Sequence, residues 1–158
     1  TVCVVGKIRD LILQLSKSSI YSTKPGLSSP LNVALGKVSK TAFTGAGSTS
    51  TLTKFDIQLK NCPETVTSAA INFGGTPDAD NNTTLALTPG ATTATGVAIQ
   101  LVDSSEQPVS LYTPSKQYPL AAGTTVNNLE FGARYIQTQA SITAGQANSA
   151  STFTVIYN

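Results

Sequence analysis

Six short stretches of this 158-residue chain alternate apolar and polar residues, and that spacing restricts the fold more than any other feature. A β-strand turns successive side chains to opposite faces, so a period of two lays one apolar face on a core. The stretches are NVALGKV with Val33 and Leu35, KFDIQLKN with Phe55, Ile57 and Leu59, AINFGG with Ile71 and Phe73, GVAIQLVD with Val97, Ile99 and Leu101, LEFGARYI with Phe131, Ala133 and Tyr135, and STFTVIYN with Phe153, Val155 and Tyr157. Clusters such as TGAGSTS, GGTPDADNN and TPGATTATG separate them, and their Gly, Pro, Asn and Ser content is turn chemistry. No stretch sustains a helical period, so the expected fold class is an all-β sandwich of six or seven strands. Residues 11–30, LILQLSKSSIYSTKPGLSSP, begin apolar as either a helical turn or a strand and dissolve into a loop before Pro30.

The length suits one domain, and the composition narrows what that domain does. Charged residues make up 11% of the chain against about 25% in an average soluble domain, while about a quarter of the residues are Ser or Thr. Histidine is absent, which removes the commonest general base and the commonest metal ligand. No GxSxG is present, and TGAGSTS at 44–50 lacks the lysine of a phosphate-binding loop. Asp78, Asp80 and Asn82 alternate like the start of a calcium loop, but the twelfth position is Pro89 where a carboxylate is required, and a turn is expected there. No catalytic residue, cofactor or metal is expected, and the chain reads as a non-enzyme.

Eight of the ten basic residues fall within residues 1–60. No arginine cluster or aromatic platform accompanies them, so nucleic acid is not an expected partner and solvated strand-edge lysines are. No run of 18 apolar residues occurs, so no membrane span is expected. The two cysteines, Cys3 and Cys62, form neither a CxxC nor a site with histidine, which favours a single disulfide in an oxidising compartment. At the N-terminus TVCVVGKIRD reads as a strand with Val2, Val4, Gly6 and Ile8 on one face. A glycine inside a strand marks a place where another chain segment needs room.

FDIQLKNC at 55–62, ATGVAIQLVD at 94–103, ALGKVSKTAFTGAGSTS at 34–50 and FGARYIQTQASITAGQANSASTFTVIYN at 131–158 resemble the chaperone–usher fimbrial pilins, type 1 branch. The family's terminal pattern, a next-to-last tyrosine and a glycine fourteen residues from the end, is met by Tyr157 and Gly145. The resemblance implies an immunoglobulin-like sandwich missing its last strand. It further implies a groove lined by Gly145, Phe153, Val155 and Tyr157, read first by a periplasmic chaperone and then filled by the donor strand of another pilin subunit at an outer-membrane usher. On that reading residues 1–10 are the donor extension, with Val2, Val4, Gly6 and Ile8 as its contacts, and residues 11–158 are the pilin domain of a bacterial cell-surface fimbria.

The match breaks at the first cysteine. In the family it follows the donor segment, where this chain has Leu13, whereas Cys3 lies inside that segment. Pairing of Cys3 with Cys62 in the same chain, pairing with a neighbour, or free thiols stay open, as does the alternative that residues 1–10 form the first strand of their own sandwich or fold back into their own groove. A carbohydrate-binding β-sandwich adhesin is the alternative function, weakened by the absence of Trp and by 6% aromatics.

Overall fold

Five of the six alternating stretches are strands in the computed structural model, which describes residues 4–5, 11–12, 21–22, 35, 38–60, 62–123 and 126–158. In chain order the strands are β1 (Val4–Val5), β2 (Leu11–Ile12), β3 (Tyr21–Ser22), β4 (Thr53–Lys60), β5 (Ser68–Gly74), β6 (Val97–Val102), β7 (Pro108–Val109), β8 (Tyr118–Pro119), β9 (Asn127–Gln137) and β10 (Thr152–Tyr157). One sheet runs β1-β4-β9-β6-β7, a second runs β10-β5-β8, and β2 pairs with β3 alone. Every ladder between these strands is antiparallel.

The apolar positions of the alternating stretches meet between the two larger sheets. Phe55, Ile57 and Leu59 from β4, Ile99 and Leu101 from β6 and Leu129, Phe131 and Ala133 from β9 face Ala69, Ile71 and Phe73 from β5 and Phe153 from β10 in one buried cluster. Aromatic rings hold its centre. Phe131 lies 5.1 Å from Phe73 edge to face, 6.1 Å from Phe55 in a stacked pair and 5.1 Å from Tyr118. Such pairs add about 0.5–1.5 kcal/mol each beyond the area they bury.

One part of the chain departs from the sequence expectation, and in another the structure decides between the two forms left open. Leu35 and Val38 of NVALGKV belong to no strand but pack half-buried on the core; residues 32–34, 36 and 37 lie outside the described residues. The apolar start of residues 11–30 is a strand rather than a helical turn, with Leu11 opposite Ser22 and Ile12 opposite Tyr21. The DADNN segment turns as its composition implies: Asp78 Oδ2 accepts from the N–H groups of Asp80 and Asn81 at 3.0 and 3.1 Å.

Tyr118 ties the sheets at their lower end. Its hydroxyl donates to the Glu130 carbonyl at 2.7 Å and accepts from the Ser104 N–H at 3.1 Å. Burial pushes the phenol above its ordinary value of 10.0, because the charged form is the one that burial disfavours. The folded state therefore holds the proton more tightly than the unfolded one, and this contribution is complete below pH 10 and lost as the pH rises beyond it. The stability gap between the parent and Tyr118→Phe is expected to narrow in urea titrations above pH 10. In the same assay Phe131→Ala is expected to cost about 3–5 kcal/mol.

Candidate functional site

The second sheet ends at β10, and its register shows which backbone groups face outward. Asn158 N–H donates to the Ser68 carbonyl at 2.9 Å, and Ser68 N–H donates to the Asn158 carbonyl at 3.3 Å. Bonded and non-bonded pairs alternate along an antiparallel ladder, so Ile156–Ala70, Thr154–Asn72 and Thr152–Gly74 are bonded pairs. Phe153, Val155 and Tyr157 consequently turn their N–H and C=O groups away from β5. Among the described residues no strand is laddered to β10 on that side, although β2 approaches it.

The same three residues point their side chains inward. Phe153 is 4% exposed, and Val155 and Tyr157 are half-buried against the core. The edge thus combines outward backbone groups with side chains continuous with the interior. A strand added there would extend the sheet and cover the flank of the core in one step.

Gly145 lies in the loop before β10, not on the edge itself. Ala94 N–H donates to the Gln146 carbonyl and Gln146 N–H to the Thr92 carbonyl, both at 2.8 Å, which draws the two backbones together around Gly145. A Cβ there would sit 2.5 Å from the Thr92 oxygen and 2.6 Å from the Ala94 nitrogen, closer than a side chain tolerates. Further along the loop, Ser149 Oγ donates to the Ala86 carbonyl at 2.5 Å and Ser151 Oγ to the Gly74 carbonyl at 2.7 Å. The glycine is required so that the loop can lie flat and deliver β10 in register. Beside it opens a cleft of about 520 Å³ lined by Val38, Phe43, Val97, Tyr135 and Ile142 among others. The cleft was not legible in the sequence: Phe43 and Ile142 lie outside strands with no periodicity to mark them, and Val38 ends the NVALGKV stretch but belongs to no strand.

Of the expected donor residues, Val4 is described: it pairs with Lys60, and Val5 with Leu59, at the edge of the chain's own first sheet. Val2, Gly6 and Ile8 lie outside the described residues. Cys62 is disulfide-bonded, and Asn127 Nδ2 lies 3.6 Å from its sulfur. The sequence holds one other cysteine, Cys3, which also lies outside the described residues. Among those described, no group of His, Cys, Asp or Glu is placed to hold a metal ion, and no helix is long and apolar enough to cross a membrane.

A family model described as fimbrial protein matches residues 23–158. The chain belongs to the fimbrial protein family. It is 38% identical over 130 residues to the fimbrial subunit type 1 of Salmonella typhimurium, covering 79% of this chain and 69% of that one. The Burkholderia pseudomallei antigen and type I fimbria protein BPSL1626 superposes with a TM-score of 0.69 at 37% identity, over 98% of this chain and 99% of that one. The P pilus rod subunit PapA shares the fold, with a TM-score of 0.60 at 21% identity over 80% of this chain and 91% of that one. The immunoglobulin-like sandwich and the place in a surface fimbria follow from these likenesses: this is a structural subunit of a pilus, built to assemble with other pilin subunits, and not an enzyme.

Gly145→Ala is expected to lower stability by about 1–3 kcal/mol, since a backbone pair must part to admit the methyl group. Thermal unfolding checks this, with loss of amide protection at Ala94 and Gln146 as the local signature.

Proposed function

We propose that the fimbrial subunit polymerises by accepting a strand along β10, and that the outward backbone of Phe153 and Val155 is the observation that carries this reading. The pattern asks for a partner in extended conformation with apolar residues at alternate positions. Main-chain bonds give such a strand its affinity, and its alternate side chains give it selectivity. Three buried apolar side chains contribute about 5–9 kcal/mol before backbone pairing. Head-to-tail addition does not close on itself, so it yields a fibre. In this reading a periplasmic chaperone covers the edge first, an outer-membrane usher exchanges it for the next subunit, and the finished fibre on the cell surface supports adhesion to host surfaces.

Val2, Val4, Gly6 and Ile8 keep the pattern of a donor, but donation by residues 1–10 requires Val4 and Val5 to leave β4. That pairing, together with the approach of β2 to β10, favours a second reading in which the N-terminal part of the chain shields its own edge and the isolated protein stays monomeric. Electrophoresis in detergent, unheated against heated in acid, separates the two. A high-mass ladder that collapses on heating supports strand exchange; a single monomer band in both lanes supports self-shielding and removes the claim for this chain alone.

Val155→Pro is the sharper test. The Val155 N–H faces away from β5, so proline deletes the outward donor without deleting a bond of the β10–β5 ladder. Polymer yield is expected to fall at least about tenfold, the equivalent of roughly one strong contact of 1.4 kcal/mol or more.

A further inference from the structure

The second sheet has another side that needs to be closed. Because Ser68, Ala70, Asn72 and Gly74 bond to β10, Ala69, Ile71, Phe73 and Gly75 present their backbone groups on the opposite side of β5. Left open, that side would be a second template for strand addition. Ala69 pairs with Tyr118 in β8, but β8 is two residues long and covers nothing beyond it.

Residues 112–115 bond to the groups beyond β8, through main-chain N–H groups as well as side chains. Ser115 bonds Ile71 twice, its N–H donating to the Ile71 carbonyl and its Oγ accepting from the Ile71 N–H, each at 2.9 Å. Tyr112 N–H donates to the Phe73 carbonyl at 2.8 Å. The Tyr112 hydroxyl then donates to the Gly75 carbonyl at 2.6 Å and accepts from the Gly75 N–H at 3.1 Å. One hydroxyl and one phenol thus satisfy groups that a neighbouring strand would otherwise take.

The covering segment is itself a poor template. Tyr112 has φ of 58°, a left-handed conformation in which no extended strand continues. Pro114 stands opposite Asn72 and Pro119 ends β8, and neither has an N–H to offer. Ser115 Oγ donates back to the Lys116 carbonyl at 2.9 Å. Tyr112 is 63% exposed, so core packing does not explain a large aromatic held in a disfavoured backbone conformation, whereas its two bonds to Gly75 do.

We propose that Tyr112 and Ser115 determine the direction of strand addition: they close β5, so that an incoming strand is accepted at β10 alone and growth stays linear. This rests on the reading of β10 as the accepting edge. Tyr112→Phe, Ser115→Ala and the double variant are compared with the parent and with Tyr118→Phe, which loses hydroxyl bonds elsewhere. Amide exchange at Ile71 should quicken by about tenfold in Ser115→Ala and at Gly75 in Tyr112→Phe, and at neither in Tyr118→Phe. With β10 blocked by Val155→Pro, the double variant should associate side to side in sedimentation velocity while Val155→Pro alone does not.

Unchanged protection at Ile71 and Gly75 overturns the inference, and so does faster exchange without lateral association. Should the double variant fail to fold, Tyr112→Phe in the Val155→Pro background carries the same two readouts, since it deletes one exposed oxygen. Polymerisation undiminished by Val155→Pro overturns the reading of β10 instead, and leaves the amides of Ile71 and Gly75 to judge the closure of β5.

Discussion

The ladder between β10 and β5 is the interaction on which the rest depends, because it decides where the second sheet stops. A strand carries hydrogen-bonding groups on both sides, and a sheet of finite width must leave or cover one side at each end. Here the pairing of Asn158 with Ser68 sets the alternation. That alternation sends Phe153 and Val155 outward on one side and Ile71 and Phe73 outward on the other. The two ends differ among the described residues: Tyr112 and Ser115 bond to one, while no strand is laddered to the other, where outward backbone runs beside a row of apolar side chains. The asymmetry suits the one-sided strand addition proposed above.

The core makes such an edge tolerable. Phe73 and Phe131 hold the sheets face to face from the middle of β5 and β9, and Phe153 reaches Phe73 at 6.5 Å from β10. The last strand is therefore anchored by burial on its inner face, although among the described residues no strand is laddered to its outer backbone. The loop before it adds a second anchor, since the crossing at Gly145 and the hydroxyls of Ser149 and Ser151 pin its path to residues 86–94 and to Gly74. Register at β10 is thus fixed before any partner arrives, and a preorganised edge loses little freedom when a strand docks.

Strands β4, β5, β6, β9 and β10 were legible because a period of two and the burial of one face are the same fact seen twice. Tyr157 and Gly145 stand out in the sequence through resemblance alone, and the packing reason for a glycine at 145 was not legible, since close approach of residues 92–94 is a tertiary contact with no local signature. The short β7 and β8 carry two residues each and leave no periodicity to read. The role of Tyr112 was hidden for another reason. LYTPSKQYP has the composition of an ordinary turn, and only the fold shows that its hydroxyls and main-chain N–H groups together take the place of a strand.

That substitution gives the low charge and high hydroxyl content of the chain a second meaning. Threonine fits a pleated surface, and solubility without charge needs hydroxyls. Yet Ser50 Oγ accepts from the Tyr135 N–H at 2.9 Å, Ser48 Oγ donates to the Gly45 carbonyl at 2.7 Å, and Ser115, Ser149 and Ser151 each bond a backbone group of another segment. A buried backbone group without a bond costs about 1–3 kcal/mol, and a lysine or glutamate would bring a charge that these tight crossings cannot solvate. Small neutral hydroxyls satisfy these backbone groups without adding either a strand or a charge. On the β5 side of the second sheet, the serine and tyrosine hydroxyls occupy backbone groups that another strand would use.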